Sequence, residues 1–231
     1  MGTDPLMNLH NHTQYSDGWH TPEEVVQRAW QGGLRQVAIT DHLMTDKVPI
    51  PLTLDGFERY HRNLLALKEM YSGRMQVLAG VEIDSNPERC DLEGLPFDRI
   101  NRLDLVLFEY VQDRQHGGAS IKELAPIFER IKVPIGLCHW DVDRIFKDER
   151  PEDVADLLAS HGLFVEVSTS DFYRREGKPF FVLGERFFRQ FGGKVRLSIG
   201  TDMHRRIDEV VNIRSGQEFV RRLGLQDMML Y

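Results

Sequence analysis

The stretch His10-Asn11-His12-Thr13-Gln14-Tyr15-Ser16-Asp17-Gly18 holds two histidines two positions apart and a carboxylate five residues after the second. The segment Met7–Leu9 before it is predicted as a β-strand, and residues two apart on a strand point to the same side. Both imidazoles can then reach one metal ion. Ser-Asp-Gly is typical of a turn and would bring Asp17 back over the strand end. Such a pair also occurs on ordinary surfaces and in cores, so the remaining sequence decides its meaning.

Strand-like and helix-like segments alternate along the chain, which predicts an α/β fold with a parallel sheet. Seven strands are predicted, at 7–9, 37–40, 77–83, 105–108, 134–138, 164–167 and 197–200. Capping boxes at Thr21–Glu24 and Ser120–Glu123 mark the starts of two helices. Further helices are predicted after Asp55, the expected N-cap, to about Tyr71, and at 151–161, 180–191 and 216–223.

Repeating βα units of about 30 residues favour a TIM-like (βα)7 barrel over an open sheet. We see no linker or low-complexity tract, so one domain over residues 1–231 is expected. Residues 1–6 are interpreted as a disordered start or a cloning remnant. In a barrel of this kind, functional side chains lie at the carboxyl ends of the strands.

Every predicted strand end carries histidine, aspartate or glutamate. These residues are His10 and His12, Asp41 and His42, Glu82, Glu109, His139, Glu166, and Asp202 and His204. Imidazole and carboxylate together suit zinc, manganese or iron. A carboxylate can bridge two ions, and ions about 3.5–4 Å apart can clamp both oxygens of a phosphoryl transfer. Cys138 is interpreted as a strand residue buried against the barrel wall.

The motifs His10-x-His12-x4-Asp17-Gly18, Thr40-Asp41-His42, Glu82, His139 and Asp202-x-His204 resemble the PHP (polymerase and histidinol phosphatase) family. They occur in the family's order, from residue 7 to about 205. The resemblance implies a distorted (βα)7 barrel, a di- or trinuclear metal centre and, in free-standing members, phosphoesterase activity. By position it implies His10, His12, Glu82 and Asp202 for a first ion, Glu82 and His139 for a second, and Asp17, His42 and His204 for a third.

One position departs from the family pattern. A histidine commonly follows strand four and completes the second ion's site, whereas this chain has Leu107-Phe108-Glu109-Tyr110-Val111. Glu109 is the expected substitute, because a carboxylate can replace imidazole on these metals. The identity and occupancy of the second ion stay open at this point.

The leading hypothesis is a metal-dependent phosphoesterase that binds two to three divalent ions (zinc, manganese or iron) and a small phosphorylated substrate. A hydroxide held between the ions would attack phosphorus. Catalytic roles are assigned to His12, Asp17, Glu82 and Asp202. Candidates for binding the phosphate are Arg144, Arg174, Arg175 and Arg205, since arginine binds phosphate in a bidentate manner. The alternatives are an amidohydrolase-type enzyme for C–N or C–O bonds and a non-catalytic, metal-stabilised module.

Composition narrows the partners of this 231-residue chain. No apolar run reaches the roughly 20 residues that a membrane span needs, so no membrane partner is expected. The net charge is −7 and no block of lysine and arginine occurs, which argues against nucleic acid other than a nucleotide or short fragment. Two cysteines and no visible signal peptide favour a reducing cytoplasm. The sequence indicates neither the substrate nor the oligomeric state.

Overall fold

A computed structural model describes residues 5–231 of the chain, and its strands follow the predicted pattern. In chain order the strands are β1 Met7–Asn8, β2 Gln36–Ile39, β3 Gln76–Asp84, β4 Leu105–Glu109, β5 Ile135–Leu137, β6 Leu163–Ser168, β7 Arg174–Arg175, β8 Lys178–Pro179 and β9 Leu197–Gly200. All but β7 and β8 form one parallel sheet in the order β1-β2-β3-β4-β5-β6-β9. This topology brings the carboxyl ends of seven strands to the same end of the molecule.

Hydrogen bonds between the first and last strands of the sheet turn it into a nearly closed barrel. Leu9 N donates to Ile199 O at 2.8 Å, and Asp202 N donates to His10 O at 3.0 Å. The predicted α/β fold, a TIM-like (βα)7 barrel, is therefore confirmed. The closure also places the chain just after β1 against the chain just after β9, so the two histidine motifs meet.

The helices are α1 Pro22–Gln31, α2 Leu54–Met70, α3 Phe97–Ile100, α4 Ile121–Arg130, α5 Val142–Ile145, α6 Pro151–Ser160, α7 Phe180–Leu183, α8 Glu185–Phe191 and α9 Arg214–Leu223. Both predicted capping boxes form. At α1, Thr21 Oγ1 accepts from Glu24 N at 3.2 Å, and Glu24 Oε2 accepts from Thr21 N at 2.8 Å. Side-chain caps of this kind typically stabilise a helix by about 1 kcal/mol.

Three helix predictions need correction. Thr53, rather than Asp55, caps α2, because the Thr53 hydroxyl accepts from Gly56 N at 3.4 Å and Asp55 lies within the first turn. The segment 180–191 is two helices that meet at Gly184. The last helix begins two residues before Gly216. The hairpin of β7 and β8 was not predicted, because strands of two residues carry no periodic pattern.

The predicted disordered start falls mostly on residues 1–4, which lie outside the described residues. Of the two that are described, Leu6 offers its carbonyl oxygen to Arg35 N at 2.7 Å and to Gln36 N at 3.1 Å. Across residues 5–231, none of the helices combines the length and apolar character that a bilayer span requires.

Candidate metal centre

A first group of predicted ligands lies where β1, β3 and β9 end: His10, His12, Glu82 and Asp202, all buried. Asp202 Oδ1 is 3.2 Å from His10 Nε2 and 3.0 Å from His12 Nε2. The two Nε2 atoms are 3.0 Å apart. Glu82 approaches them at 3.5 and 3.3 Å. Two ring nitrogens and two carboxylates thus converge on one point, which is a donor set that suits zinc, manganese or iron.

A second group joins the opening turn to the end of the chain: His12, Asp17, His42 and His204. Asp17 Oδ1 lies 3.3 Å from His204 Nε2, 3.8 Å from His42 Nε2 and 3.9 Å from His12 Nδ1. His12 therefore faces the first group with Nε2 and the second with Nδ1. The turn does bring Asp17 back over the strand end, as the Ser-Asp-Gly pattern predicted.

The remaining predicted ligands belong to two further groups that overlap the first two: His10, Glu82, Cys138 and His139, and His42, Glu82 and Glu109. His139 Nε2 lies 3.0 Å from Glu82 Oε1, and Cys138 Sγ lies 2.9 Å from the same oxygen. Glu109 Oε2 is 3.9 Å from His139 Nε2, but it is only 2.5 Å from Lys47 Nζ. Glu109 is thus already paired with a cation from the loop after β2.

Unpartnered atoms test whether the centre suits a metal ion. Among the predicted ligands, four buried atoms have no hydrogen-bond partner within the described residues: His12 Nδ1, His42 Nδ1, Glu82 Oε2 and Glu109 Oε1. His42 Nδ1 and Glu82 Oε2 are 2.9 Å apart but lack the alignment of a hydrogen bond. Buried polar atoms normally have partners. Divalent ions would satisfy His12 Nδ1, His42 Nδ1 and Glu82 Oε2, so the two groups that share His12 fit predicted ions. Glu109 differs, because its other oxygen is already paired with Lys47.

Two of the predicted ligands adopt a left-handed backbone conformation. His139 has φ = 36° and Asp202 has φ = 51°. Residues other than glycine pay a conformational penalty there, and such strain clusters at ligand clamps and active sites. In an extended strand, successive side chains point to opposite faces. The left-handed backbone at His139 and Asp202 breaks this alternation, so that both side chains point toward the centre.

Carboxylates behind the centre orient its parts. Glu166 Oε2 lies 2.7 Å from His10 Nδ1, which fixes the ring so that Nε2 faces the first group. Asp41 accepts from Thr13 N at 2.8 Å, from Thr13 Oγ1 at 2.7 Å and from Ser16 Oγ at 2.7 Å. Asp41 thus holds the turn that carries Asp17. Glu166 thus orients the imidazole ring of His10, and Asp41 orients Asp17 by holding the turn before it.

The pKa values of the predicted ligands reflect the crowding of their charges. Burial, with His204 and His42 nearby, lowers the pKa of His12 to about 3. Burial also opposes the charge of His204, but Asp17 and Asp202 outweigh it and raise the pKa of His204 to about 9. Likewise, burial disfavours a charged Glu82, yet His42 and His10 hold its pKa well below the usual value. One imidazole is thus kept neutral and another kept charged within a few ångströms.

A cavity of about 220 Å³ opens beside the centre at His139. Its walls combine aromatic side chains with charged ones. The aromatic residues are Tyr110, Trp140, Phe172, Tyr173 and Phe180, and the charged residues are Asp113, Asp141 and Arg144. Tyr173 links cavity and centre, because its ring stacks on His139 at 4.0 Å and its hydroxyl donates to Asp202 Oδ2 at 2.6 Å. Asp202 therefore offers Oδ1 to the first group while Oδ2 is held by Tyr173.

The four candidate arginines occupy different surroundings. Arg144 lines the cavity and is paired with Asp113 and Asp141. Arg175 is also paired, with Asp141 at 3.0 Å and with Asp143. Arg174 binds Asp171 near the surface, and Arg205 lies 5.2 Å from the centre of the Trp19 ring. Arg144 is the one that faces the cavity beside His139.

Sequence reasoning missed Lys47 and the contacts of Tyr173 with Asp202 and His139, and it placed Cys138 in the wall only. Cys138 does lie in the wall, but its Sγ also reaches Glu82. Its position immediately before His139 was the available signal. Lys47 and Tyr173 come from loops, where no periodicity predicts which side chain points inward.

A nearly closed parallel barrel whose strand ends gather buried histidines and carboxylates is typical of metal-dependent hydrolases. Residues 8–170 match the family model described as the PHP domain, which covers more than half of the chain. The chain therefore belongs to the PHP domain family, as its motifs predicted.

Two comparisons describe its relatives. A protein of Caldicellulosiruptor saccharolyticus named a probable phosphatase is 26% identical over 207 residues, which are 87% of this chain and 81% of that protein. The crystal structure of histidinol phosphate phosphatase from Lactococcus lactis, complexed with zinc, L-histidinol and phosphate, shares the fold with a TM-score of 0.65 and 17% identity. That match covers 94% of this chain and 93% of the other. The name of the Caldicellulosiruptor saccharolyticus protein agrees with the predicted class of enzyme, and the solved structure shows the shared fold.

Proposed function

We propose that this chain is a metal-dependent phosphoesterase that hydrolyses a small phosphate ester. The observation that carries the proposal is the pair of largely buried four-residue groups that share His12, in which His12 Nδ1, His42 Nδ1 and Glu82 Oε2 have no hydrogen-bond partner. When bound, divalent ions in these groups would supply an acidified water as nucleophile and positive charge for the phosphoryl oxygens. The phosphatase names of the relatives support the same reaction class.

The residues of the centre would hold two ions and keep them apart. His10 and Asp202 would serve the first ion alone, whereas Asp17 and His204 would serve only the second. His12 would hold both groups in one rigid arrangement. Because all the strand ends are parts of one barrel, few side-chain adjustments are needed to keep this spacing.

The cavity beside His139 would hold the alcohol part of the substrate. Its aromatic side chains suit a flat or apolar group, and its volume of about 220 Å³ limits that group to a small molecule. Arg144 is the cation best placed to meet the phosphate or the alcohol part, since it lines the same cavity. The zinc, L-histidinol and phosphate of the Lactococcus lactis complex agree with a small substrate of this kind.

Activity assays on metal-loaded protein test the proposal. The chain would be stripped with chelator, reloaded with zinc, manganese or iron, and assayed on phosphate esters, amides and lactones. We expect turnover of phosphate esters only. His12→Ala or Asp202→Ala should abolish it, a loss of at least 1,000-fold, while circular dichroism stays that of a folded barrel. Full activity of either variant with saturating metal, or turnover of amides or lactones alone, would contradict the proposal.

A further inference from the structure

Lys47 is a cation within a centre that otherwise consists of histidines and carboxylates. Its Nζ lies 2.5 Å from Glu109 Oε2, and Glu109 is fully buried at the end of β4. The lysine side chain is only 24% exposed, and its ammonium lies 5.0 Å from the centre of the Tyr110 ring. A buried carboxylate requires a partner. In this chain the partner of Glu109 is an ammonium group.

The loop that carries Lys47 is anchored, so its ammonium is not that of a free surface lysine. Leu52 N donates to His42 O at 2.8 Å, which fixes the end of the loop against the strand end. Asp46 N, next to the lysine, donates to Arg89 O at 2.9 Å. Backbone hydrogen bonds on both sides therefore hold Lys47 over the centre.

Glu109 is not a member of the two four-residue groups that share His12, although it forms a smaller group with one residue of each, His42 and Glu82. Glu109 Oε1 is 3.8 Å from His42 Nδ1 and Glu109 Oε2 is 3.9 Å from His139 Nε2, so neither ring is as close as Lys47. A divalent ion bound at Glu109 would lie beside the ammonium, and like charges in a buried place repel strongly. The lysine thus neutralises the carboxylate that a further ion would need.

We propose that Lys47 is a resident cation of the centre, which keeps Glu109 as its counter-ion and prevents a third divalent ion from binding tightly between Glu82, Glu109 and His139. The chain then holds two ions tightly, one in each of the two four-residue groups that share His12. This inference rests on the proposed function only in taking those two groups as metal sites.

Metal stoichiometry tests the inference on the full chain. Protein stripped with chelator would be dialysed to equilibrium against buffered free Zn²⁺, and zinc per chain measured by elemental analysis. We expect two ions in the wild type and three in Lys47→Met, with the third bound at least tenfold more tightly than in the wild type. The double variant Lys47→Met/Glu109→Gln should return to two.

Lys68→Met is the matched control. Lys68 Nζ lies 2.6 Å from Asp104, the residue immediately before β4. Glu109 is the last residue of that strand, so the two ion pairs lie at opposite ends of β4. The control removes an ion-paired lysine at the opposite end of the barrel and should keep two ions.

Any wild-type count other than two, or an unchanged count in folded Lys47→Met, would overturn the inference. If Lys47→Met does not fold, Glu109→Gln decides: we expect it to keep two ions, and the loss of one would identify Glu109 as a ligand of a tightly bound ion. Expected counts without hydrolysis of any phosphate ester would contradict the proposed function and leave this inference standing.

Discussion

At the scale of single residues, Glu166 shows how a carboxylate shapes the centre through another side chain. Its Oε2 accepts from His10 Nδ1 at 2.7 Å, with both side chains buried, and this leaves His10 Nε2 free to face Asp202 and Glu82. We predict that Glu166→Gln weakens metal binding by about 10- to 100-fold, because an amide fixes the ring less firmly. Competition with a chromophoric chelator measures the change.

Glu218→Gln is the control for this prediction, since Glu218 is half exposed and pairs with Arg214 on α9. Its metal affinity should equal that of the wild type. If Glu166→Gln also binds metal as tightly as the wild type, the carboxylate contributes only to packing.

The residues at strand ends could be predicted, but their pairing could not. The position of Glu166 in an apolar strand predicted that its carboxylate needs a partner, either at the metal centre or in a salt bridge, but that partner, His10, lies 156 positions away. Lys47 and Glu109 are separated by 62 positions, and no local pattern joins them. Whether a buried carboxylate meets an imidazole or an ammonium depends on the folded loops, so the second ion's site could not be settled from the motifs.

At the scale of elements, the end of β9 must come unusually close to the centre, and glycine permits it. A Cβ on Gly200 would lie 2.6 Å from His10 Cβ and 2.7 Å from Glu166 Cδ. We predict that Gly200→Ala pushes these side chains aside, lowers the free energy of unfolding by about 1–3 kcal/mol and weakens metal binding. Urea unfolding and metal titration measure the two effects.

Gly56→Ala in α2 is the matched control, because its nearest contact to an added Cβ is 3.5 Å, an ordinary van der Waals distance. Its metal affinity should not change and its stability should be equal or slightly higher, since alanine favours a helix. Unaltered metal binding in Gly200→Ala would show that the close approach is not required.

Elements with local signals were predictable, and those held by distant contacts were not. The capping boxes of α1 and α4 lie within four residues, so the sequence contains all their partners. The hairpin of β7 and β8 depends instead on Arg175, which binds Asp141 and Asp143 more than 30 positions earlier. The hairpin begins directly after Tyr173, whose hydroxyl contacts Asp202. The position of this tyrosine in the site therefore depends on the hairpin and could not be predicted from local sequence.

At the scale of the whole molecule, folding brings histidines and carboxylates from distant parts of the chain together at the strand ends, where their opposite charges balance. Asp17 and His204 come from opposite ends of the chain, yet their side chains are 3.3 Å apart. Without ions, protonated histidines balance the carboxylates; with ions, the histidines must lose their protons to bind. Without metal, the fold should therefore become less stable as the pH rises, whereas the stabilisation by bound metal should increase with pH.

We predict that the chelator-treated chain loses stability as the pH rises from 6.5 to 9. The pKa of His204 is raised to about 9 in the fold, from about 6.5 when unfolded, so its contribution is complete below pH 6.5 and is lost through pH 9. The pKa values of His10 and His42 are raised too, and that of His12, about 3, affects only lower pH. The loss should be on the order of 2 kcal/mol for His204 alone.

Urea unfolding at pH 6.5, 7.5 and 9, with and without zinc, measures this dependence. Zinc should stabilise the chain more at each step in pH, because proton competition for the ligands falls. His204→Gln should flatten the profile of the metal-free chain, since it removes the histidine whose proton Asp17 holds. If the metal-free chain is instead more stable at pH 9 than at pH 6.5, His204 is not protonated in the fold. The proposed charge balance between the histidines and the carboxylates is then wrong.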